Sequence, residues 1–230
     1  MQIFTNTALV ARRAKMAHAA SLGGLFLILG GTGLAMWQPQ LASVTLGCLI
    51  VGFAISSVGI YNANLWVKKP RPEEVLAQAL KRFDDRYRLY NYLLPTSHVL
   101  LTPFGLFVFV VRNLDGEFTY RDGKWHQRFS ASRALRFFVE PSLGNPLREL
   151  EEEIQRIRRL IEPEGEGVPV TGAVVFTHPA ATVRAKGAPY PIVVPKRLPR
   201  LIQRKKSEHP LLAKEVYRRL ISLLEGKRTS

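Results

Sequence analysis

Two long stretches without a single charge limit this chain more than any other feature. Residues 19–37 read AASLGGLFLILGGTGLAMW, and residues 41–61 read LASVTLGCLIVGFAISSVGIY. Each run is about 20 residues, the length an α-helix needs to cross a hydrocarbon core of roughly 30 Å. Only Gln38, Pro39 and Gln40 separate them, so the two form a tight antiparallel hairpin. Neither run has a polar face, which argues against a buried hairpin in a soluble protein. A cleaved signal peptide would need a shorter apolar stretch and a small-residue cleavage site, and it would still leave the second span. Trp37 at the connector, with Tyr61 and Trp66 at the far end, suit the two membrane interfaces.

Charge gives the orientation. Residues 1–67 contain no Asp or Glu, and their only basic side chains are Arg12, Arg13 and Lys15. Lys68, Lys69 and Arg71 follow the second span. Basic flanks stay on the cytoplasmic side, so a multi-pass cell-membrane protein with both termini cytoplasmic is expected. The expected divisions are a cytoplasmic N-terminal segment, 1–18, and a transmembrane hairpin, 19–61. A basic linker, 62–72, and a cytoplasmic domain, 73–230, follow. Membrane lipids are the first partner. Small residues four apart (Ala20/Gly24, Gly31/Ala35, Ser43/Gly47, Gly52/Ser56) let helices approach closely, either within the hairpin or in a homodimer.

The remainder reads as an α/β domain. Residues 73–86 have helical periodicity and two glutamates in the first turn, where the helix dipole favours them. Strands are expected at 87–94, 98–102 and 106–112, and the unbroken run LFVFVV implies burial on both faces. Residues 115–129 carry turn signals at Asp115-Gly116 and Asp122-Gly123 and read as a hairpin excursion. A short strand at 134–139 follows. Asn145 caps and Pro146 opens a helix whose apolar stripe is Leu147, Leu150, Ile154, Ile157 and Ile161. Strands at 170–177 and 190–194 and an amphipathic helix at 208–224 complete the order. Helices interleaved with strands give a mixed sheet flanked by helices. The single cysteine, Cys48, and five scattered histidines supply neither a disulfide framework nor a zinc cluster.

From residue 73 to residue 194 the chain resembles the nuclease-related domain (NERD) family. The resemblance rests on the glutamates of the early helix, HVLLTPFGLFVF, Asn113 with Gly116, Trp125, Asn145-Pro146-Leu147 and GAVVF. It implies the PD-(D/E)xK restriction-endonuclease-like fold. In active members Asp and Glu hold a divalent metal by hard oxygen ligands, and a Lys two residues after the Glu neutralises phosphate charge. The resemblance places Ser97 at the Asp, Val110 at the Glu, Arg112 at the Lys and Glu149 at a supporting helix Gln. Valine cannot bind a metal and serine is a poor substitute for a carboxylate, so the site reads as degenerate and no metal or cofactor is expected. A relocated site drawing on Glu74, Glu149 and Asp115 would restore Mg2+ and nuclease chemistry. The plainer roles are a helix start for Glu74, a solvated helix face for Glu149 and a turn for Asp115.

What remains is charge. Lys196, Arg197, Arg200, Arg204, Lys205 and Lys206 form one basic run, and Arg112 stands apart at a strand end. Such a set suits an anionic partner: a membrane surface, an acidic protein face or nucleic acid. The sequence therefore points to a membrane-anchored pseudo-nuclease that binds or scaffolds, with a membrane-tethered, metal-dependent nuclease as the alternative.

Overall fold

The computed structural model describes residues 1–128 and 142–226; the strand expected at 134–139 lies outside them. Two long apolar helices and an α/β domain with a mixed sheet make up the chain.

Helix α1 spans Thr7–Trp37 and α2 spans Ala42–Trp66, joined by a short helical turn, Pro39–Leu41. Both are long and apolar enough to cross a membrane. They extend beyond the uncharged runs: α1 takes up Arg12, Arg13 and Lys15, and the Arg13 guanidinium lies 5.8 Å from the Trp66 ring centroid. Their shared seam is small and strictly spaced. Val10, Ala17, Gly24 and Gly31 are buried in α1, and Thr45, Gly52 and Gly59 in α2, each seven residues from the last. That repeat keeps one stripe of each helix facing its neighbour. A Cβ at Gly24 would stand 2.4 Å from the Ser56 nitrogen, and one at Gly59 would stand 2.3 Å from that of Ser21. Gly24, Gly31 and Gly52, three of the small residues noted in the sequence, thus serve the hairpin itself.

The domain is built on a six-stranded sheet in the order β1-β2-β3-β4-β7-β9. These strands are β1 (Gln2–Thr5), β2 (Arg88–Asn91), β3 (His98–Thr102), β4 (Gly105–Arg112), β7 (Val170–Phe176) and β9 (Ile192–Val193). The first pair is parallel, β2-β3-β4 is an antiparallel meander, and β4, β7 and β9 run parallel. A smaller sheet holds β5 (Gly116–Arg121) between β6 (Lys124–Arg128) and β8 (Ala181–Ala185). Asp122 and Gly123, both at positive φ, close the β5-β6 hairpin, as Asp-Gly turns do.

Four helices pack on the large sheet: α3 (Pro72–Leu80), α4 (Pro146–Ile161), α5 (Leu198–Glu208) and α6 (Lys214–Gly226). Alternation along β4 separates two cores. Leu106, Val108 and Val110 face Leu150, Ile154 and Ile157 of α4 and Leu220 and Leu224 of α6. Phe107 and Phe109 face Leu76 and Leu80 of α3 and Leu198 and Ile202 of α5. The final helix is therefore part of the domain, and Arg88 pairs with its Glu225 at 2.5 Å.

Several boundaries differ from the sequence expectation. Met1–Asn6 belongs to the same compact unit as the described residues 72–128 and 143–226. Phe4 stacks on Tyr90 at 5.3 Å, a long-range contact that four residues do not advertise. Helix α3 ends at Leu80 rather than 86, because Asp84 bonds the backbone N–H and guanidinium of Arg86 and turns the chain. The basic run forms a helix of its own, α5, and β8 carries no clear strand signal. The last helix begins at Lys214 rather than 208, since Pro210 disfavours helix in the residue before it.

Candidate functional site

The C-terminal end of β4, the turn before β3 and the start of α4 meet at one end of the large sheet. Arg112 shares the face of Val108 and Val110, so its side chain leaves the strand toward α4. There it pairs with Glu149 through both carboxylate oxygens. Its Nε donates to the Leu143 carbonyl at 3.1 Å and Nη1 to the Val111 carbonyl at 3.2 Å. The Arg112 side chain is 17% exposed and that of Glu149 44%. The pair is thus half-sheltered, where a forked guanidinium–carboxylate contact gains more than at an open surface. Helix α4 is set up for this by its first turn: the Asn145 side chain accepts the Arg148 N–H at 3.3 Å.

Ser97 precedes β3 on the same layer as Val99 and Leu101, and its carbonyl accepts the Tyr92 N–H at 2.8 Å. Val110 is buried in the α4-facing core. Neither residue presents a charged oxygen. His98 points to the opposite face, where its Nδ1 meets Asn91 Oδ1 at 2.9 Å. Burial pushes the His98 pKa down to about 3, so it is a neutral, packed histidine. Of the glutamates opening α3, Glu73 is the buried one and accepts from the Tyr92 hydroxyl at 3.3 Å. Glu74 and Glu149 sit on helices that cover opposite faces of the sheet, and Asp115 lies between β4 and β5. Among the described residues, no three His, Cys, Asp or Glu side chains come together as a metal site.

One residue escaped the sequence reading. Glu153, one turn after Glu149 on α4, is only 6% exposed. Its pKa is raised to about 7, chiefly by burial and then by the neighbouring Glu149 carboxylate. Arg156, the Ser97 backbone N–H and Arg112 act in the opposite sense. Among the described residues its Oε2 has no hydrogen-bond partner. The signal was available: Glu153 lies three residues after Leu150 and four before Ile157, on the flank of the apolar stripe rather than on the solvated face.

Strands β2, β3, β4 and β7, the strand-end arginine and the helix opened by Asn145-Pro146 fall within residues 70–177, which match the model of the nuclease-related domain family. This chain carries a nuclease-related domain. No curated protein and no solved structure matches the chain. The domain match ends at β7, so β8, β9 and the basic helix α5 lie beyond it. On and just before α5, Lys196, Arg197, Arg200, Arg204 and Lys206 are exposed, while Leu198, Leu201 and Ile202 anchor it. Arg204 and Lys205 pair with Glu208 at 3.5 and 2.5 Å.

Proposed function

We propose that this protein is a membrane-anchored, restriction-endonuclease-like domain that has lost its metal ligands and binds or scaffolds an anionic partner. The observation that carries the reading is the chemistry of one layer. The positions that the resemblance assigns to the family's Asp, Glu and Lys hold Ser97 just before β3, the core Val110 and an arginine already paired to Glu149. A divalent cation needs convergent oxygens, and an arginine fork bound to the nearest carboxylate competes for that ligand.

Anchoring is supported by more than hydropathy. Basic residues flank the hairpin at both ends, Arg12, Arg13 and Lys15 before it and Lys68, Lys69 and Arg71 after it, and such flanks favour the cytoplasmic side. The anionic partner rests on the exposed cations of α5 and the turn before it.

The test uses the full chain in neutral nanodiscs, with labelled DNA and RNA across a salt series, with and without Mg2+. Steep salt dependence with intact nucleic acid is the expected result. EDTA-sensitive cleavage would replace this reading with the relocated nuclease. No binding at low salt would remove nucleic acid and leave an anionic membrane or protein, which nanodiscs containing anionic lipid and a domain pull-down then separate.

A further inference from the structure

Glu153 takes no part in that reading, yet its geometry is unusual. From α4, Glu149 and Arg156 act on it; from β4, Arg112; and from the turn into β3, the backbone N–H of Ser97. Arg112 is paired to one of two carboxylates a helical turn apart on α4, the half-exposed Glu149, and its charge also acts on the other, the buried Glu153. The Arg112 Nη2 spends a hydrogen on Glu149 and has a second that no described residue accepts. The Oε2 of Glu153 is a buried acceptor with no donor among the described residues. An unspent donor and an orphaned acceptor at one site are the two halves of a hydrogen bond.

We propose that Glu153 is a proton-controlled latch on Arg112. Uncharged, it leaves the guanidinium with Glu149; ionised, it draws the guanidinium inward and releases Glu149 to solvent. The four side chains Arg112, Glu149, Glu153 and Arg156 then carry net charge +1 in the first state and zero in the second. With Glu153 titrating near pH 7, the exchange falls in the neutral range. The inference goes beyond the anionic-partner reading and does not depend on it.

Thermal unfolding of the full chain in mild detergent, from pH 5 to pH 9, tests it. An acid whose folded pKa is raised holds a proton that the unfolded chain has already lost. Its contribution to stability therefore falls as pH climbs from about 4.5 to about 7 and is flat above. Glu153→Gln keeps the shape and removes the charge. Its Tm should match wild type at pH 5 and exceed it by several degrees above pH 7. Glu149→Gln should move the midpoint of the wild-type fall to more acidic pH, because the repelling charge is gone and the guanidinium is free to turn inward. Parallel curves for wild type and Glu153→Gln would overturn the proposal. So would a midpoint unmoved by Glu149→Gln. A merely buried acid beside Glu149 shifts in that variant too, so the double variant Arg112→Gln/Glu149→Gln separates the two. If the guanidinium turns to the ionised Glu153, its midpoint lies about one pH unit or more above that of Glu149→Gln alone, and equal midpoints would overturn the latch.

Discussion

The seam between α1 and α2 offers the sharpest test of the hairpin, because glycines on and off the seam can be compared within one helix. An alanine at Gly24 would bring its Cβ within 2.4 Å of the Ser56 nitrogen and 2.6 Å of the Gly52 oxygen. Ordinary contact needs roughly 1 Å more, and both opposing atoms are backbone, so the helices must separate. Overpacking of this kind costs about 1–3 kcal/mol. Gly23 and Gly30 meet nothing within 4 Å, and alanine there recovers helix propensity worth up to about 1 kcal/mol. The two classes of Gly→Ala variant should therefore differ by about 2–4 kcal/mol, with opposite signs relative to wild type. The assay is unfolding of the full chain in mild micelles by a denaturing detergent, followed by helical circular dichroism. Gly59→Ala, facing Ser21, should behave like Gly24→Ala. Equal effects at Gly23 and Gly24, or a neutral Gly24→Ala, would refute the close-packed seam.

Other outcomes follow from single contacts in the domain. Arg112→Lys should cost about 1–2 kcal/mol in thermal unfolding, since an ammonium cannot span Glu149 and the Leu143 carbonyl together; Arg112→Ala should cost more, and equal stability would dismiss the pair. Asn145→Ala, which removes the cap of α4, should cost about 1 kcal/mol by the same measurement. Gly105→Ala meets the Pro169 carbonyl at 2.5 Å from a backbone at φ +145; it should cost on the order of 3 kcal/mol and lower the yield of folded protein. If α5 meets phosphates, Arg200→Ala and Lys206→Ala should each flatten the log-affinity against log-salt slope by about one unit. An unchanged slope would move the contact elsewhere.

Much of this architecture is legible in the sequence, and what is not has a physical cause. The apolar runs name α1 and α2 because about 20 uncharged residues have few other destinations. Strands β3 and β4 announce themselves through an unbroken β-branched and aromatic run, and α4 through Asn145, Pro146 and a clean stripe. Strand β1 does not, because a four-residue edge strand is made by its partner, through the Gln2–Arg88 register and the Phe4–Tyr90 stack. Strand β8 is likewise half-exposed and held by pairing with β5. At the site, the sequence places Arg112 and Glu149 in corresponding roles, but their pairing needs β4 and α4 to be brought together across 37 positions. Glu153 hides among three consecutive glutamates, where only helical phase distinguishes the buried one from Glu151 and Glu152.

That phase explains why an arginine suits the end of β4. Glu149 and Glu153 bring two carboxylates to one sheltered corner, and sheltered carboxylates must be paired, hydrogen-bonded or protonated. Arg112 supplies compensating charge from the chain itself, paired to the half-exposed Glu149. A guanidinium is permanently charged and has five hydrogens in a rigid fork. It can hold one carboxylate, two carbonyls and still keep a donor unspent. Lysine, with a flexible stem and a strongly hydrated head, could balance the charge without fixing the geometry. The arginine at the end of the strand is thus the counterion of this corner, and Arg112→Lys against Arg112→Ala separates the fork from the charge.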